Sequence, residues 1–196
     1  GWPSWPTYQP IAEAAKEAGA KLVAGNAERA KARALVSRGL DALDRTETTR
    51  LGLDQPLPAA IAEALQAEIA LSHCDLLPET LLPSMVLAQR LRDATMAERL
   101  GAAAGVSGRA VLIAGNGHAR RDRGVPFVLA TSGIAASDMA SVMLVEDDPE
   151  AGTAADLVPL DAEGQPVADY IWITPAVSRP DPCEEMQEQM QGGSGG

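Results

Sequence analysis

Apolar positions recur along this chain at two different periods, and the switching between them predicts its elements. Over residues 57–72, Ile61, Leu65, Ile69 and Ser72 fall at steps of four and three, the spacing of one helix face. The breaks at Pro78 and Pro83 precede the longest predicted helix, from about 83 to 103. An Ala/Arg-rich helix is expected over 28–38, stopped by Gly39, and a short one over 10–18, ended by Gly19. Residues 110–114 (Ala-Val-Leu-Ile-Ala) are apolar throughout, as in a central strand covered on both faces. A short buried strand is expected over 21–24, turning at Gly25-Asn26, and two more near 140–146 and 169–174, separated by an acidic loop. Residues 41–56 are polar and aperiodic and read as a surface loop with one helical turn; 105–108 read as a turn. The alternation predicts an α/β fold, a mixed or mostly parallel central sheet flanked by helices. One domain spans 1–186, with a flexible tail over 187–196, and no internal repeat is visible.

Composition narrows this picture. Apolar residues make up 46% of the chain but aromatics only 3%, so Ala, Leu, Val and Met must fill the core. Sixteen Lys and Arg against 27 Asp and Glu give a net charge of −11, which repels phosphate backbones and argues against nucleic acid as a partner. The bases are unevenly placed. Seven arginines lie from Arg90 to Arg123, and only Arg179 follows them, so an anionic ligand finds its attraction mid-chain. No apolar run approaches 18 residues, and no initiator Met or signal peptide is present. The Gly-Trp-Pro opening and the Gly192–Gly196 ending read as those of a processed or engineered piece. Cys74 and Cys183 permit one disulfide without requiring it.

The sharpest chemical feature is the run Val111-Leu112-Ile113-Ala114-Gly115-Asn116-Gly117-His118-Ala119-Arg120-Arg121-Asp122-Arg123-Gly124-Val125-Pro126. An apolar strand leads into two glycines and then presents a histidine and three arginines, where open α/β sheets bind ligands. His118 offers a metal ligand or an acid–base group, and Arg120 and Arg121 offer paired donors for carboxylates. The run fails as a dinucleotide fingerprint because Arg120 stands at the third glycine position. The plainer reading is a tight turn with solvated arginines. On the long helix, Met85, Gln89, Arg92, Met96 and Arg99 share one face, which suits a half-apolar pocket wall. The competing account has the methionines filling core gaps while Arg92 pairs with Asp93 or Asp122. His73-Cys74-Asp75 clusters three metal-ligand types, but their adjacency matches no metal spacing, and His73 equally suits a helix C-cap. Trp2, Trp5 and Tyr8 read better as a staple onto the core than as a ligand clasp.

With these residues in view, the chain resembles the ChaN-like haem-binding uptake family. The loop 111–126 is similar to that family's hallmark loop. Four further stretches agree in order: Trp-x-x-Tyr-x-Pro (5–10), Ser-His-Cys (72–74), Met-Val-x-Ala-Gln-x-x-Arg-Asp-Ala-x-Met-Ala (85–97) and Asp-Tyr-Ile-Trp-Ile-Thr-Pro…Asp-Pro-Cys (169–183). The resemblance places the chain near the Tiki/TraB superfamily, whose two Gly-x-x-His motifs are represented here by Gly115-Asn116-Gly117-His118 alone. The family's first motif, Gly-Glu-x-His, is expected on an N-terminal segment that this sequence lacks, supplied if needed by a separate chain. The resemblance implies haem as ligand and an envelope protein, often a lipoprotein, periplasmic or outer-membrane-associated, working with haem-uptake machinery. It also leaves room for a homodimer, and with an oxidising compartment it implies a disulfide between Cys74 and Cys183.

Haem needs an apolar slot, axial ligands and cations for its propionates. The candidate binding residues are accordingly Asn116, Gly117, His118, Arg120, Arg121, Met85, Gln89, Arg92 and Met96, with His118 and His73 as the metal-ligand candidates. Three functions follow: a haem-binding envelope protein without turnover, a Tiki-like hydrolase with a divalent metal on His118 and the absent motif, or a scaffold that binds nothing itself. Binding is the expected one, since two histidines fall short of a three-ligand catalytic site.

Overall fold

The computed structural model describes residues 5–192, with the side chains of 189–192 left aside. Trp2 and the closing residues 193–196 therefore lie outside the described residues. Eight helices and two strands are ordered among those described: α1 (Trp5–Glu17), α2 (Arg29–Arg38), α3 (Arg45–Arg50), α4 (Ala59–Ser72), α5 (Leu82–Ser107), α6 (Asn116–Ala119), α7 (Val125–Thr131), β1 (Val142–Glu146), β2 (Tyr170–Thr174) and α8 (Pro182–Gly192). Short 3₁₀ turns join several of them. Helix α8 runs through 187–192, a span whose composition reads as linker.

Helix α5 is the axis on which the rest is packed. Its Ala88, Leu91 and Ala94 meet Ala32 and Leu35 of α2, together with Leu51 and Leu53 from the turn after α3. Leu35 and Leu91 are fully buried, and the alanines around them let the two helix backbones approach closely. Arg90 fixes that turn by donating to the carbonyls of Gly52 (2.9 Å) and Gln55 (2.7 Å). Val86 packs on Leu65 and Ile69 of α4, and Met96 and Ala97 pack on Val125 of α7. Asp44 caps α3 by accepting from the Glu47 amide at 2.8 Å.

The sheet is smaller than the sequence predicts. Strands β1 and β2 pair in parallel, Val142 with Tyr170 through Glu146 with Thr174, and they attach to the helices through Met143, Val167 and Ala168 against Ala119. The fold is mixed α/β in a single domain, with this two-stranded parallel sheet. Residues 110–114 and 21–24, expected as strands, form neither helix nor strand and join no ladder. Leu112 and Ala114 pack against the Met96 cluster, while Val111 is 88% and Ile113 48% exposed. The run has the alternation of a strand with one face covered, but among the described residues it lacks a neighbour to hydrogen-bond.

Two boundaries also move. Helix α1 begins at Trp5 rather than near residue 10, accommodating Pro6 in its first turn, where a missing N–H is harmless. It buries none of its residues, and Trp5 is exposed rather than packed onto the core. Helix α5 continues through Gly105 because the alanines at 102–104 sustain it, and it ends at Gly108, whose φ of 74° supplies the left-handed cap.

Cys74 and Cys183 form a disulfide with Cα atoms 5.5 Å apart, joining the end of α4 to the start of α8. Among the described residues, no helix is long and apolar enough to cross a membrane.

Candidate functional site

The apolar run 110–114 ends at Gly115, and the chain turns there into the single turn of α6, which carries Asn116, Gly117 and His118. The segment is then locked from both sides. The Asn116 amide donates to the carbonyl of Leu144 at 2.7 Å, tying the loop to β1. Gly117 is closely packed, since a Cβ there would stand 2.8 Å from the Glu68 carboxylate, which would have to swing aside. Gly124 is required by space: a Cβ would meet the backbone carbonyl oxygens of His118 and Arg120 at 2.5 and 2.8 Å. The loop thus folds back over itself before α7 begins.

His118 points at α5. Its Nδ1 lies 2.6 Å from Oδ1 of Asp93 and 3.0 Å from the Gln89 amide. Gln89 and Asp93 are one helical turn apart, so both meet the same ring edge. Asp93 is 2% exposed, and burial pushes its carboxyl above the usual carboxylate range, with the hydrogen bond and charge of His118 pulling the other way. With Asp93 ionised, Nδ1 carries its proton and donates to Oδ1, and the Gln89 amide oxygen is the end suited to face Nδ1. That assignment places the lone pair of the ring on Nε2.

Around this pair the carboxylates and arginines are mostly consumed by one another. Arg120 makes two bonds to Asp122, at 2.9 and 2.7 Å, and Arg123 joins Glu68 to Asp122 at 2.7 and 2.6 Å. Both arginine side chains are only 11% exposed, so they brace the loop. Arg121 is more open but pairs with Asp169 at 2.7 Å. Arg99 donates to the carbonyls of Ala24 and Asn26, and Arg90 serves the turn described above. Arg92 differs from all of these. It is half-buried on α5 beside Asp93, close enough for its charge to lower the Asp93 pKa, and makes no hydrogen bond or ion pair among the described residues.

Of the residues singled out by sequence, the structure brings His118, Gln89, Asn116, Gly117 and Arg92 to one region. Met96 is 3% exposed within the core cluster, and Met85 packs half-buried against Leu65 and Val86. His73 closes α4, its Nδ1 2.8 Å from the carbonyl of Ile69. Among the described residues, no group of three or more His, Cys, Asp or Glu could hold a metal ion, so a divalent metal has no ligand set here. Sequence pattern alone matches Asp93 and Asp122 with Arg92; in the structure they belong to His118 and to the two bracing arginines. The available signal was positional: Asp93 lies one turn after Gln89 on a buried helix, where a carboxylate needs a partner.

Comparison with known proteins identifies a family. The family model described as "Haem-binding uptake, Tiki superfamily, ChaN" matches residues 1–129, which include α1 to α6 and the His118 loop. No curated protein and no solved structure matches.

Proposed function

This chain belongs to the haem-binding uptake family of the Tiki superfamily, ChaN, and from that premise we propose that it binds haem at the His118–Arg92 face of α5 as part of haem or iron acquisition. The observation that carries the reading is the anchoring of His118 Nδ1 by buried Asp93, which leaves Nε2 to serve as an axial ligand. Arg92, half-buried and without a hydrogen-bonding partner among the described residues, supplies a cation for a propionate. Haem supplies the iron centre; the chain supplies a fixed imidazole, a cation and the apolar flank of Leu112 and Ala114. A hydrolytic alternative is not favoured, because the donor set a catalytic metal needs is not gathered among the described residues. The disulfide supports placement in an oxidising compartment such as the periplasm.

Absorption titration with haemin tests this. The wild-type chain is expected to give a saturable Soret band at one equivalent. His118→Ala should abolish that band or shift it to a different ligation state. Arg92→Gln should keep the ligation spectrum while weakening binding by about tenfold, the worth of one charge-assisted contact. A spectrum and affinity unchanged in His118→Ala would remove this site from consideration.

A further inference from the structure

We propose that Asp93 makes this site selective for ferric over ferrous haem, acting as a positioning residue through the ring of His118. The inference rests on the haem reading given above and deepens it by naming the oxidation state that is held. Its first support is geometric. Oδ1 of Asp93 stands 2.6 Å from Nδ1 of His118, and Asp93 is almost wholly buried, so water does not compete for that bond. With iron on Nε2, the proton of the ring sits on Nδ1 and Asp93 accepts from it. The negative charge on that acceptor distinguishes it from a backbone carbonyl or from the neutral Gln89 amide beside it. The two histidines of the chain differ in this respect. Nδ1 of His73 meets the neutral carbonyl of Ile69 at 2.8 Å, whereas His118 has a carboxylate behind it.

The second support is what that charge does to a metal on the far side of the ring. An imidazole that donates to a carboxylate takes on part of the character of its own anion and gives more electron density to its ligated ion. Fe(III) carries one more positive charge than Fe(II), so the ferric form gains more from the donation and from the buried charge itself. The neighbouring charges leave this balance in place. Glu68 is paired with Arg123, so its charge is offset locally. Arg92, adjacent on α5, is the cation that the haem reading assigns to a propionate, and once so paired it no longer opposes Asp93.

The test is spectroelectrochemistry of the 196-residue protein loaded with haemin and read at the Soret band. Asp93→Asn keeps the shape of the side chain and removes its charge. It should raise the midpoint potential by about 60 mV or more, an approximately tenfold loss of preference for ferric haem in a one-electron couple. In the same variant the iron–histidine stretch of the ferrous form, read by resonance Raman, should move to lower frequency. A merely structural role predicts weaker binding of both oxidation states with the potential unmoved, and that result overturns this inference while leaving the haem reading standing. If Asp93→Asn fails to fold, His118→Gly supplies the second arm. Its haem complex, rescued by imidazole, should have a lower potential than the one rescued by 1-methylimidazole, which has no N–H to give Asp93. Equal potentials with the two rescuing ligands overturn the proposal. A wild type that gives no saturable Soret band removes the haem reading and this inference together.

Discussion

Asp93 carries an unusual burden, a carboxylate almost wholly removed from water in the middle of a helix. Its pKa is raised from the ordinary 3.8, desolvation being the largest cause and the His118 bond the main opposing one. The folded chain therefore holds this proton more tightly than the unfolded chain does. The corresponding stability is fully present below 3.8 and is lost as pH rises through the folded value. Asp93→Asn removes the titration while keeping a hydrogen-bonding side chain. The melting temperature of the wild type minus that of Asp93→Asn should then fall as pH rises from about 3 to about 5. A difference that grows over this range would mean that the attraction of His118 outweighs burial. Gly124 offers a second test at this scale. Gly124→Ala drives a Cβ into two backbone carbonyls that cannot retreat without moving His118, and should destabilise the chain by about 1–3 kcal/mol. Haem affinity, read by the same titration, should fall with it.

At the scale of elements, helices were legible in sequence and strands only partly so. The periodicity of 57–72 and 83–103 is local information, and α4 and α5 appear where it places them. A strand is half of a pair, and its apolar pattern does not say whether a partner is near. Residues 140–146 and 169–174 found each other; residues 21–24 and 110–114 formed no strand among the described residues. The same limit applied to the site. Position along the chain brought His118 and the Gln89/Arg92 face into view, because strand-end glycines and helix spacing are local signals. That Arg120 and Arg123 would be spent on Asp122 and Glu68 depends on contacts across the fold. Helix α5 still contains Gly101 in its interior, where a Cβ would meet nothing within 4 Å. Gly101→Ala should raise stability by about 0.4–1 kcal/mol through helix propensity and a less free unfolded chain. A lower melting temperature in this variant would show that the helix is not the rigid axis described.

For the molecule as a whole, the helical half and the C-terminal quarter are held together by different means. Helices α2, α4, α5 and α7 share apolar clusters, whereas β1 and β2 rest on the small cluster of Met143, Val167 and Ala168. Beyond β2 residues 175–188 are mostly exposed, and helix α8 returns to the helical half through Cys183. The bond spans 109 residues of sequence, which in the chain-entropy account is worth about 4–5 kcal/mol. At about 2–4 °C per kcal/mol for a chain of this length, full loss lowers the melting temperature by roughly 10–20 °C. Cys74→Ser/Cys183→Ser should show that drop, and reductant should produce it in the wild type but not in the double variant. Because Cys74 and Asp75 hold left-handed backbone conformations, with φ of 57° and 55°, part of the gain is offset by local strain in the folded state. The measured drop should therefore sit toward the lower end of that range. A melting temperature insensitive to reductant, with both thiols shown to be free, would mean that the C-terminal region is held by packing alone.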